Sequence, residues 1–206
     1  MLIDDRNAHE LKRDVVGIGV FVGVIWLVFL ADRILPLEQL GLVPRTFSGL
    51  VGVVAMPFLH ADLTHIISNT IPLLVTLALL AGSRANSGQI VLFIAVLAGI
   101  GLWLFGREAR HIGASGLVFG LIAFHVFAGV FERRFIPIVL SVVVFVLYAG
   151  TLFRGVLPMQ PGVSWDGHLM GAVAGILVAL GVSKTLTNRP KNRGGDPRDD
   201  LFNRRS

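Results

Sequence analysis

The chain has 206 residues, 54% hydrophobic and only 15% charged, with a mean hydropathy of +0.76; so few charges cannot coat the surface of a soluble domain of this size. The absence of cysteine excludes a disulfide framework and any thiolate nucleophile or metal ligand. The net charge of +5 is spread over the two termini and short loops rather than gathered in one patch, which is the membrane-protein pattern, so we expect no nucleic-acid partner.

A hydrocarbon core about 30 Å thick takes about 20 mostly apolar residues in a helix. Residues 1–13 form a charged N-terminal segment ahead of the first such run, at about 14–34. That run is too long for a signal-peptide core and has no small-residue cleavage site, so it is expected to remain a span. The connection 35–56 is the one long loop. Its own apolar stretch, 47-FSGLVGVVAMPF-58, is expected in or on the membrane rather than in water. The second run, about 57–81, opens with 60-HADLTHIISNT-70, an unusual density of polar groups where a chain enters lipid.

Four further runs follow at about 88–106, 113–131, 135–153 and 165–184, separated by 82-GSRANSG-88, 106-GREARH-111, 132-ERR-134 and 154-RGVLPMQPG-162. The tail 185–206 combines Pro, Gly and mixed charge with few apolar residues and is expected to be a disordered, solvated segment. The sequence therefore predicts an all-α polytopic membrane protein, with a six-helix bundle over 14–184. With both termini cytoplasmic, 13 of the 18 basic residues fall inside and five outside, which favours that orientation; without the tail the count is nearly even, so the tail decides.

In this topology three sequence-distant polar clusters share the outer side. His60, His65 and Asn69 open the second span, Ser115 opens the fourth and His168 the sixth. An unpaired polar group in lipid costs several kcal/mol, so convergence is the inexpensive arrangement. Each cluster also has a plainer reading: a Ser bonded to a carbonyl one turn back, an interfacial His, or small residues serving close packing. His60, five residues before His65, falls on a different face of a regular helix. His65 and Asn69 share a face at i, i+4. So do His168, Gly171 and Gly175, and Gly113, Gly116 and Gly120 supply a matching small surface on the fourth span. Packing these two helices together brings Ser115 toward His168. A serine within reach of a histidine is an activated nucleophile, and a nearby amide or imidazole donor can hold an oxyanion.

Three motifs, H-x4-H-x3-N at His60, His65 and Asn69, G-x-S-G at Gly113–Gly116, and H-x2-G-x3-G at His168, Gly171 and Gly175, occur on spans two, four and six. With them the chain resembles the rhomboid intramembrane serine proteases in their six-span form, over about residues 14–184. The resemblance implies Ser115 as nucleophile and His168 as general base. It implies an oxyanion hole from His65, Asn69 and the Ser115 N–H, with His60, Gly113, Gly116, Gly171 and Gly175 in support. Phe119 stands where the family often stacks a tyrosine under the histidine. Neither metal nor cofactor is implied, nor Asp166 as a third triad member. The implied partners are single-span membrane proteins, cut near the outer face, and the lipid bilayer itself. Val51 and Gly52 stand where the family has a Trp-Arg pair, no acidic residue follows span two, and Gly167 replaces a common alanine.

Other readings meet specific obstacles. An intramembrane zinc protease, with His60, His65, His111 and His168 as ligands, lacks an H-E-x-x-H string. A transporter or channel usually holds ionisable residues in mid-membrane, whereas every Asp and Glu here lies near a span end or in a loop. An inactive rhomboid-like protein that binds membrane clients typically loses the serine or the histidine, and both are present.

Overall fold

The computed structural model describes residues 5–84, 86–158 and 162–187; most of the expected tail, from 188 on, and residues 1–4 of the N-terminal segment lie outside them. The described residues form a bundle of six long apolar helices, each long enough to cross a membrane. These are α1 (Asp5–Ala31), α2 (Leu63–Ser83), α3 (Ser87–Phe105), α4 (Ser115–Glu132), α5 (Phe135–Gly155) and α6 (Trp165–Thr187).

Two boundaries differ from those read off hydropathy. α1 extends back to Asp5 and stops at Ala31, because its first turns are polar and invisible to a hydropathy count. α2 begins at Leu63 rather than near 57. The apolar stretch up to Phe58 is a separate piece of short helical turns, Ser48–Val51, Gly52–Ala55 and Met56–Phe58. The chain then extends through Leu59, and Asp62 starts a new helix by accepting the His65 backbone N–H on its carboxylate at 2.8 Å. His60 therefore precedes the helix, so the objection that it falls on another helical face does not apply.

α4 is the axis of the bundle. Twelve of its residues are buried, among them Leu121, Ile122 and Phe124, and it packs against α2, α3, α5 and most extensively α6. The α4–α6 seam is built from small residues: a side chain on Gly171 or Gly175 would overlap the carbonyl oxygen of Gly116 or Gly120. Backbone therefore lies on backbone, and the first turns of α4 and α6 are drawn side by side. Gly113 lies before α4 and does not join this seam.

The first loop lacks the Trp-Arg pair and is anchored differently. Leu42 and His111 exchange backbone hydrogen bonds of 2.9 and 2.8 Å. Arg45, in a left-handed conformation, donates to the Gly106 carbonyl at 2.7 Å, and Trp103 Nε1 donates to the Thr46 carbonyl at 2.9 Å. An arginine from the loop and a tryptophan from α3 thus tie the loop to the α3 C-terminus.

Candidate active site

The segment 113–115 enters α4 at the end of the bundle where α2 and α6 also begin. Gly113 N–H donates to the Met56 carbonyl at 2.9 Å, and Ala114 N–H donates to His60 Nε2 at 3.4 Å. Gly113 has φ +114, a conformation that favours glycine. The space its side chain would fill is taken by α2: a Cβ there would lie 2.6 Å from His65 Nε2 and 3.7 Å from Asn69 Nδ2. Two side-chain nitrogens one turn apart on α2 therefore converge beside the residues leading into Ser115. Asn69 is buried and gives one of its two N–H groups to the His65 carbonyl at 3.1 Å, leaving the other unspent.

His60 is fully buried, with its ring 5.0 Å from that of His65 in an edge-to-face arrangement. Because Nε2 accepts from Ala114, the ring proton sits on Nδ1, which has no partner among the described residues. Burial, and then the neighbouring His65, lower the His60 pKa to about 4, so the ring is neutral at physiological pH.

Ser115 is the first residue of α4 and is half-buried. Its hydroxyl makes no hydrogen bond among the described residues. The first-turn N–H groups of a helix also lack intrahelical acceptors and carry the positive end of the dipole. A developing negative charge beside Ser115 would meet both.

His168 lies in the first turn of α6, buried, with Phe119 stacked flat against it at 4.0 Å between ring centres and 6° between planes. Its Nδ1 lies 2.9 Å from the Gly155 carbonyl oxygen. A carbonyl only accepts, so Nδ1 carries the proton and Nε2 of the neutral ring keeps a free lone pair. No hydrogen bond joins Ser115 to His168 among the described residues; the α4–α6 seam brings their helix ends together without closing that contact. Catalytic hydrogen bonds are often open in the absence of substrate.

Gly155, the last residue of α5, escaped the sequence reading because it sits in a stretch that reads only as a span end and loop. Any side chain there would collide with Phe119 and come within 3.1 Å of His168 Nδ1. A second missed group braces the start of α6. Asp166 accepts from the Arg107 backbone N–H at 2.8 Å, from its guanidinium at 3.1 and 3.3 Å, and from Ser164 Oγ at 3.1 Å. His111 Nδ1 lies 2.7 Å from Ser164 Oγ, and its Nε2 faces the Arg107 carbonyl at 3.2 Å. This serine–histidine pair is hydrogen-bonded, and the same hydroxyl also lies within reach of the Asp166 carboxylate. The Arg107 carbonyl only accepts, so His111 Nε2 carries the proton of the neutral ring and Nδ1 shares the Ser164 hydroxyl proton with Asp166, which holds Ser164 inside this brace. Asp166 spends both oxygens here rather than on His168. His111 is engaged by Ser164 and the Arg107 carbonyl, and no three His, Asp or Glu of the described residues converge as metal ligands.

Comparison with known proteins agrees with this architecture. Residues 48–185 match the Rhomboid domain family. The chain is 43% identical over 172 residues to a protein of Mycobacterium tuberculosis described as uncharacterized, covering 77% of this chain and 71% of that one. An uncharacterized protein of Mycobacterium leprae is 35% identical over 195 residues, 88% of this chain and 77% of its own. The Rhomboid-type serine protease 2 of Debaryomyces hansenii is 29% identical over 141 residues, 62% of this chain and 48% of the yeast protein.

Proposed function

The chain belongs to the rhomboid family, and from that premise we propose that it is an intramembrane serine endopeptidase that cleaves single-span membrane proteins through a Ser115–His168 dyad. The observation that carries this reading is the tautomer of His168: with Nδ1–H held by the Gly155 carbonyl, Nε2 is the basic nitrogen, at the helix end that adjoins the unengaged hydroxyl of Ser115.

In the proposed mechanism His168 Nε2 takes the Ser115 proton as Oγ attacks the scissile carbonyl, giving a tetrahedral oxyanion. His65 Nε2–H, the second N–H of Asn69 and the Ser115 backbone N–H stabilise that charge. The imidazolium returns its proton to the leaving amine, and an ester on Ser115 remains. Water, deprotonated by the same nitrogen, then releases the new carboxyl terminus. Phe119 and Gly155 hold the ring in place, and His60, through Ala114, holds the entry to α4. A peptide bond inside a substrate helix is shielded and hydrogen-bonded, so the substrate must unwind locally before attack.

The proposal includes a cytoplasmic N-terminal segment, 1–13, and a cytoplasmic tail, 185–206, flanking the membrane domain 14–184. The site then faces the outer side of the cell membrane. Reconstituting the protein with a single-span reporter substrate tests the activity. Wild type is expected to yield two fragments cut near the outer interface, and Ser115→Ala and His168→Ala none. Binding of the reporter without cleavage by wild type would instead favour an inactive, client-binding member of the family.

A further inference from the structure

At the end of the bundle away from Ser115, a cavity of about 610 Å³ opens between the start of α3 and the end of α6. Its deeper walls are apolar, with Phe93 and Leu97 on α3 facing Leu177 and Val178 on α6, and its rim is polar, with Asn86 and Gln89 opposite Thr185. Spacings of four along each helix put these residues on single faces, so the groove runs along the helices for about 12 Å (about eight residues at 1.5 Å each).

The charge at the rim is uneven. Arg84 lines the groove but is neutralised by a bidentate pair with Glu132, at 2.6 and 3.1 Å. Arg134, at the head of α5, also lines the groove, and its guanidinium makes no hydrogen bond or ion pair among the described residues. One uncompensated cation thus sits over an apolar channel that opens at the membrane interface. From this geometry we propose a binding site for one anionic phospholipid of the adjoining leaflet, its phosphate on Arg134 with the amides of Asn86 and Gln89 as further donors, and one acyl chain between Phe93 and Leu177. Basic pockets between spanning helices recognise lipid headgroups in this way. The chain's own residues 188–206 are the competing occupant, but they carry six basic against three acidic residues and so mismatch Arg134.

Gly181 gives the test its sharpest variant. It lines the groove, and a Cβ added there meets no atom within 4 Å, so a leucine would fill the channel without a clash at its Cβ and with better helix propensity. The measurement is native mass spectrometry of the full chain in mild detergent, against phosphatidylglycerol and phosphatidylcholine with identical acyl chains. Wild type is expected to retain one phosphatidylglycerol about fivefold over phosphatidylcholine, the effect of one arginine near a headgroup. Arg134→Gln should bring that ratio close to one. Arg133→Gln removes the same charge next door, outside the groove, and should leave the ratio unchanged; Gly181→Leu should reduce retention of both lipids. Equal retention by wild type, an unchanged ratio in Arg134→Gln, an equal loss in Arg133→Gln, or full retention in Gly181→Leu would each overturn the site. So would displacement of the lipid by soluble glycerol phosphate alone, or a gain in lipid retention on removing residues 188–206. Lipid retention is read without reference to cleavage, so the result stands apart from the proposed protease activity.

Discussion

Both ends of this bundle bury polar groups, but they use them differently. Where α2 meets α4's C-terminus, Arg84 and Glu132 satisfy each other completely through two parallel hydrogen bonds, with the arginine also 5.6 Å over the Phe124 ring. Short turns join the helices at that end. At the other end, buried or half-buried groups keep unspent capacity: the second N–H of Asn69, the lone pair of His168 Nε2, Nδ1–H of His60 and the hydroxyl of Ser115. Saturated pairs hold structure, whereas unspent groups that have been taken out of lipid and water are available to something that arrives.

The sharpest way to break that contrast is to remove the nucleophile. Ser115→Ala should lower cleavage of a single-span reporter by on the order of 10⁴-fold or more, with the thermal midpoint in detergent within a degree or two of wild type. Substantial residual cleavage would show that the unspent hydroxyl is incidental. Asn69→Ala comes next. It should reduce turnover about 10²–10³-fold with little change in apparent substrate affinity, because the charge it meets exists only near the transition state. Loss of folding, or unchanged turnover, would make Asn69 a packing residue that serves only the His65 carbonyl. Gly155→Ala drives a methyl into Phe119 and against His168. Its cost in turnover should be about 10²-fold, the scale of a 1 Å misplacement, and Phe119→Gly in the same chain should partly restore it by opening space.

Gly155 also shows where the sequence stops being legible. Six apolar runs of spanning length were readable because the bilayer imposes length and composition directly on the chain. The convergence of spans two, four and six was readable because His, Asn and Ser are costly there, and because Gly171 and Gly175 mark a face. The start of α2 was not, since the hydropathy of Val53–Phe58 runs on past the break made by Leu59 and the Asp62 cap. Nor was the partner of His168 Nδ1, a backbone carbonyl that any residue possesses. What singles out Gly155 is its distance to Phe119, which no local pattern encodes. The Arg107–Asp166 pair lies in between: an acid at the head of an apolar helix was visible, but not which arginine would meet it 59 residues away.

The saturated end should respond in the opposite sense. Arg84→Met leaves Glu132 buried without its partner and should destabilise the fold by about 3–5 kcal/mol, while turnover per folded molecule stays within about twofold of wild type. The smallest effect expected concerns acid. His60 is held at a pKa of about 4 in the fold, against an ordinary value of 6.5. Its contribution to stability is thus fully present above about pH 6.5 and is lost as pH falls toward 4, by on the order of 3 kcal/mol in all. Replacing it with Phe should flatten that part of the stability profile; an unchanged acid slope would place the titrating group elsewhere.

The central claim is that one unengaged serine, and not the fully bonded Ser164, is the reactive one. A fluorophosphonate probe applied to the folded full chain, followed by peptide mapping, separates the two. The account predicts a single covalent adduct on Ser115, lost in His168→Ala and retained in His111→Ala. An adduct on Ser164, or none on a chain that cleaves the reporter, would contradict it.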